Sequence, residues 1–148
     1  MPYIIIKAPE GVFDTAELGR SATAVAKTVE QGGDEPRHAT LTWVQIETFK
    51  PGAFFAGAAD PLGQVIPVVV LFHYPDGVLD QTARTDAARL FQDAFTAARP
   101  AGDPRPVRTS VIMTAVPEGT WGGNGQLWSL PDLAKAAGFK HLQHLVAA

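Results

Sequence analysis

Pro9-Glu10-Gly11-Val12-Phe13-Asp14 and Pro75-Asp76-Gly77-Val78-Leu79-Asp80 repeat one pattern, 66 residues apart (75 minus 9). A second echo closes each half: Lys50-Pro51-Gly52-Ala53-Phe54-Phe55-Ala56-Gly57 against Pro117-Glu118-Gly119-Thr120-Trp121-Gly122-Gly123-Asn124. Gly52 and Gly119 are 67 apart (119 minus 52). Two matches at nearly one spacing indicate a duplicated unit.

Around these echoes each copy has the same order of signals. A β-branched run comes first, Ile4-Ile5-Ile6 and then Val68-Val69-Val70. The Pro-acid-Gly turn ends it. Asp14 and Asp80 then read as helix N-caps, and Glu17, three residues after Asp14, completes a capping-box pattern. Apolar residues follow at helical spacing: Leu18, Ala22, Val25, Ala26 and Val29, then Ala83, Ala87, Leu90, Phe91, Ala94 and Phe95. Gly32-Gly33 and Pro100-Ala101-Gly102 stop the helices. A second strand closes each unit, from about Ala39 to Phe49 and from Arg108 to Val116. The expected fold is α/β (α+β): two tandem βαβ units forming a four-stranded mixed sheet with two helices on one face. The whole chain, 1–148, reads as one domain, with a first unit over 1–62 and a second over 63–126. A tail over 127–148 is expected to form short helical pieces around Leu130, Leu133, Ala134, Ala137, Leu142 and Leu145.

Composition limits the function classes. A chain of 148 residues with 46% hydrophobic and 18% charged residues is globular in character. A formal charge of -3 speaks against a nucleic-acid footprint, which needs clustered Lys and Arg. The run Val65 to Phe72 contains Pro67 and is too short to span a bilayer. No basic region or cleavage pattern stands at the start, so the expectation is a cytoplasmic protein without membrane association. The absence of cysteine excludes disulfides and cysteine-zinc sites.

One mismatch points beyond the single chain. Two helices cover one face of a sheet, yet Ile4-Ile5-Ile6 and Val65 to Phe72 are apolar on both alternating faces. Burial of apolar area is worth roughly 25 cal/mol per Å². An oligomer whose sheets face one another is therefore expected.

The duplicated βαβ units, the start Met1-Pro2 and the closing segment Ser110-Val111-Ile112-Met113-Thr114-Ala115-Val116-Pro117-Glu118-Gly119-Thr120-Trp121-Gly122-Gly123-Asn124-Gly125 together resemble the tautomerase superfamily. The likeness is to a fused, double-length form of 4-oxalocrotonate tautomerase, and it covers about residues 2 to 126. It implies a MIF-like tautomerase fold, a homotrimer and keto-enol proton transfer on a small carbonyl compound, with no metal or organic cofactor. It also implies that Pro2, once Met1 is removed, is the general base and acid. A secondary amine in an apolar pocket loses some of its charged form's stability, so it becomes available as a base near neutrality. Pro67 in the second copy has only an amide nitrogen and cannot take this role.

The chain departs from the family pattern. The arginines that oxalocrotonate-type members carry after the first turn and early in the second strand fall here on Val12 and Val78, and on Trp43 and Ser110. The arginines of the dehalogenase and decarboxylase branches fall near His73, Tyr74, Pro75 and Val78. No bidentate carboxylate clamp occupies these positions. Arg37 and His73 are candidate substrate contacts, each set against an ordinary structural reading. Trp43 and Trp121 are candidate pocket walls. Asn124 supplies either a positive φ or a donor to an enolate oxygen. His141 and His144 share a helix face without a third ligand, which fits tail packing better than metal binding. The alternatives are a non-catalytic trimer binding a ligand or protein, or a dehalogenase or decarboxylase on the same scaffold.

Overall fold

The computed structural model describes residues 2–33 and 36–146. The run Ile4-Ile5-Ile6 lies in β1 (Tyr3–Pro9), and the long apolar run lies in β3 (Ile66–Pro75). These two strands pair antiparallel at the centre, with Ile5 opposite Leu71. β2 (Trp43–Phe49) runs parallel to β1, and β4 (Val107–Val116) runs parallel to β3. The sheet order is β2-β1-β3-β4, so the parallel pairs are the two βαβ units and their junction is antiparallel.

The crossovers supply the core. α1 (Thr15–Val29) buries Leu18, Ala22, Val25, Ala26 and Val29; α3 (Gln81–Ala98) buries Ala87, Phe91 and Phe95. Both pack on the sheet face formed by Ile4, Ile6, Val68, Val70 and Phe72, all fully or almost fully buried. Phe91 meets Phe72 edge-on at 5.9 Å between centroids and stacks on Phe95 at 5.9 Å. Truncating such a ring to Ala removes about 3–5 kcal/mol of stability. Both N-caps form as expected, Asp14 accepting from the Ala16 amide and Asp80 from the Ala83 amide. The Asp14 bond reaches the second helical amide rather than the third, which a capping box uses. The reciprocal box occurs instead at Ser129 and Asp132.

The first unit departs from the expected strand boundary. Ala39 to Leu41 do not extend β2; they complete a short helix, α2 (Pro36–Leu41). Pro36 suits a first helical position, where its missing N–H is not needed. The Thr42 hydroxyl bonds back to the His38 carbonyl at the helix end. His38 faces inward and its Nε2 lies 3.0 Å from Glu30 Oε1, with His38 1% and Glu30 0% exposed. The strand expected from Ala39 therefore begins only at Trp43, after a helix that buries His38 against Glu30.

The tail closes on the core. α4 (Leu130–Ala137) buries Leu133, Ala134 and Ala137, and a 3-10 helix (Lys140–Leu145) buries Leu142. The Lys140 amide donates to the Gln31 carbonyl, and His141 Nε2 lies 2.8 Å from the Val78 carbonyl oxygen. The tail thus joins the turn after α1 to the turn before α3. Phe139 is fully buried and meets the His38 ring edge-on.

The other sheet face is half-covered. Tyr3, Ile5, Val69, Leu71 and His73 are partly buried along the two central strands, while Trp43 on β2 and Ile112 on β4 are 62% and 53% exposed. Among the described residues no helix is long and apolar enough to cross a membrane.

Candidate functional site

Pro2 is buried, and its carbonyl accepts from the Trp43 amide at 3.1 Å, which ties the start of β1 to the start of β2. From that junction the strands lay down a row of side chains with period two. Tyr3 stands opposite Trp43, and Ile5 stands opposite Gln45. Leu41, at the end of α2, adds an aliphatic side. Pro2, Tyr3, Leu41, Trp43 and Gln45 line one side of a cavity of about 500 Å³.

The opposite side comes from the far end of the second unit. After β4, the turn at Gly119 leads into a small hairpin, β5 (Gly122–Gly123) and β6 (Gln126–Leu127). Its turn residues, Asn124 and Gly125, have φ of 52° and 84°. Two positive φ values in a two-residue hairpin loop suit Asn-Gly, whose first residue tolerates the left-handed region better than most. Trp128 then locks the hairpin. Its amide donates to the Trp121 carbonyl at 2.9 Å, and its indole Nε1 donates to the Gly123 carbonyl at 3.0 Å. A Cβ on Gly123 would lie 3.0 Å from Trp128 Nε1, so an added methyl would press the indole outward by a few tenths of an ångström. Trp121, Gly122, Gly123, Asn124 and Trp128 all face the cavity. The Glu118 carboxylate accepts from the Leu130 amide at 3.0 Å, joining this end of the hairpin segment to α4.

Four of the residues singled out in the sequence, Pro2, Trp43, Trp121 and Asn124, line this cavity together. Arg37 and His73 do not. Arg37 belongs to α2, whose contribution to the lining is Leu41, four residues further on. His73 stacks on Tyr3 with 6.1 Å between ring centroids, but it stands on β3, whereas the cavity lies over β1 and β2. Sequence reasoning missed Leu41, Gln45 and Trp128. Gln45 was within reach, since it follows Trp43 by two residues on one strand face. Trp128 was not, because only the hairpin folds it back onto Gly123.

The chemistry of the lining is uniform. Among the described residues it contains no lysine, arginine, histidine, aspartate or glutamate. Its polar side chains are Tyr3, Gln45, Asn124 and the indole N–H groups. The Tyr3 hydroxyl donates to Gln45 Oε1. On the same sheet face, the next residues along the strands are Lys7 and Glu47, and they pair with each other at 3.4 Å. Among the described residues, no group of three metal-ligating side chains is close enough to hold an ion. Met1, whose removal the resemblance implies, lies outside the described residues.

No protein-family model matches this sequence, and no curated protein sequence matches it. Solved structures do match in shape. Macrophage migration inhibitory factor from Oncomelania hupensis aligns with a TM-score of 0.66 at 18% identity, over 97% of this chain and 98% of that one. Pt0534 inactivated by 2-oxo-3-pentynoate aligns at 0.66 and 15% identity, over 90% and 98%. A wild-type fused 4-OT solved as a symmetric trimer aligns at 0.65 and 13% identity, over 92% and 98%. At these identities the likeness establishes the fold: the chain has the tautomerase fold of these proteins.

Proposed function

We propose that this chain is a tautomerase-superfamily enzyme, a cytoplasmic homotrimer in which Pro2, freed by removal of Met1, moves a proton between oxygen and carbon of a small carbonyl compound. The observation that carries the reading is the place of Pro2: buried at the head of β1 and lining the walled cavity. Its apolar surroundings favour an uncharged amine, which is the form a base needs. In the enol-to-keto direction the nitrogen takes the enol hydroxyl proton as the carbonyl forms. The electron pair of the C=C bond then takes a proton from the nitrogen, making a C–H bond and restoring the free amine. The reaction needs no cofactor.

The trimer is supported by two things: this chain is similar to a fused 4-OT solved as a symmetric trimer, and Ile5, Val69 and Leu71 are only partly buried and Ile112 exposed on the outer sheet face. The domain units 1–62 and 63–126 with the tail 127–148 fit the same proposal, since the Pro2 cavity draws its walls from both units and from Trp128. Enol-to-keto conversion by the Met-free protein, compared with Pro2→Ala, tests the reading. Loss of conversion with an unchanged oligomer supports it, and equal rates refute it.

A second reading rests on the absence of any charged side chain among the described lining residues: a non-catalytic relative that keeps the trimer and binds an apolar ligand. The dehalogenase or decarboxylase alternative finds no arginine in this cavity to hold or polarise an acid. Conversion that depends on Pro2 separates the enzyme from the binding module.

A further inference from the structure

We infer that the Pro2 cavity takes an uncharged aromatic carbonyl compound and discriminates against carboxylates, with the Gln45 amide bonding the carbonyl oxygen. This rests on the proton-transfer reading above and narrows its substrate class.

Three features converge. Trp43, Trp121 and Trp128 place three indoles around one cavity of about 500 Å³. Their flat faces suit an aromatic ring, and the same faces carry the negative side of the ring quadrupole, which disfavours an anion. Trp128 has its N–H committed to the Gly123 carbonyl, so it offers the cavity a ring rather than a donor. A carboxylate entering such a site would lose water and gain no opposite charge from the described lining residues, which is costly in an apolar setting.

The second feature is where charge does occur. Lys7 lies on the same sheet face, but one strand repeat beyond Ile5, and its ammonium is paired with Glu47 at 3.4 Å. The strand rise puts it roughly 6–7 Å further along than the Ile5–Gln45 pair. It is not a lining residue.

The third is Gln45 itself. The Tyr3 hydroxyl donates to its Oε1, which orients the amide and leaves the Nε2 group as its donor end. Tyr3, Gln45 and Pro2 line the same cavity. A neutral amide donor strengthens as charge develops on a carbonyl oxygen and does not attract a separate carboxylate as a guanidinium would. This makes Gln45 the residue that sets substrate charge.

The test is exchange of the α-proton into deuterium oxide, followed by NMR, for an arylacetaldehyde and for the arylpyruvate with the same ring. Wild-type Met-free protein is expected to favour the aldehyde at least about tenfold in kcat/KM, the ratio that a modest difference in binding free energy produces. Gln45→Arg is expected to invert that preference. Gln45 is exposed in the chain, so the change is compatible with folding. Faster exchange of the arylpyruvate by wild type overturns the substrate class. An unchanged ratio in Gln45→Arg overturns the role of Gln45. If neither compound exchanges faster with wild type than with Pro2→Ala, the proton-transfer reading itself fails, and this inference falls with it.

Discussion

Beside Pro2, β2 offers Trp43 and Gln45, and the hairpin around Asn124 and Gly125 stands across from them. At the head of β3, β4 offers Arg108 and Ser110 beside Pro67, and the loop carrying Phe54 and Ala56 completes a shallower cleft of about 290 Å³. The two loops are built alike. Ala56 bridges Ala59 around Gly57 and Ala58, and Gly123 pairs with Gln126 around Asn124 and Gly125; all four turn residues have positive φ. The same scaffold therefore yields two different surfaces. One end has a proline at position 2, three indoles and, among the described residues, no charged side chain. The other has a proline whose nitrogen is locked in an amide, and an arginine. Backbone duplication reproduces the recess, while chain position and side-chain choice decide what chemistry it can support.

The sharpest way to break this comparison is to remove each proline. Pro2→Ala is expected to lower enol-to-keto conversion by about 10²- to 10⁴-fold, the usual worth of a positioned general base. Pro67→Ala is expected to leave conversion unchanged within the error of a kcat/KM measurement.

The next contrast lies in the turns between helix and second strand. The first unit holds its turn with Glu30 and His38, both buried. The second uses Asp103 and Arg105 in a more open turn, where Arg105 also donates to the Leu62 carbonyl. His38→Ala strands a buried carboxyl group and is expected to lower unfolding free energy by about 3 kcal/mol in urea titrations. Because α2 carries Leu41 into the cavity, activity should fall along with stability.

Gly123→Ala sharpens the comparison of the two hairpins. Its counterpart Ala56 already carries a Cβ, but there no indole packs against it as Trp128 packs against Gly123. The substitution should displace Trp128, raise KM several-fold and shift tryptophan fluorescence, with little loss of thermal stability.

Asp103→Asn should have the smallest effect. Hydrogen bonds from the Arg105 side chain, and then from its backbone amide, lower the Asp103 carboxyl pKa to about 2. A carboxylate held below its unfolded value, about 3.9, adds stability above that value and loses it as pH falls through the folded value. The wild type should therefore melt slightly higher than the variant at neutral pH. The gap should close between about pH 4 and pH 2 in a melting series.

How much of this was legible in the sequence follows from what periodicity records. The β-branched runs, the two Asp caps and the helical stripes of Leu18 to Val29 and Ala83 to Phe95 gave both βαβ units, because local pattern and tertiary role agree there. The segment Ala39 to Leu41 misled, since a single buried Glu30–His38 contact across the intervening turn leaves no period in the sequence. For the site, Pro2, Trp43, Trp121 and Asn124 could be picked out because strand starts and glycine-rich turns concentrate at sheet ends. His73 lies one strand too far across the sheet, and Arg37 one helical turn away from Leu41. Trp128 reaches the cavity only through a reversal at Asn124 and Gly125, so its role depends on three-dimensional closure.

Titration of the Pro2 nitrogen by ¹⁵N NMR in the mature, assembled protein tests the central claim most directly. The account predicts a free secondary amine that loses its proton below the range of ordinary α-amino groups, about 7.7 to 8.0, and stays uncharged at neutral pH. A nitrogen acylated by retained Met1, or an amine still protonated at neutrality, would contradict it.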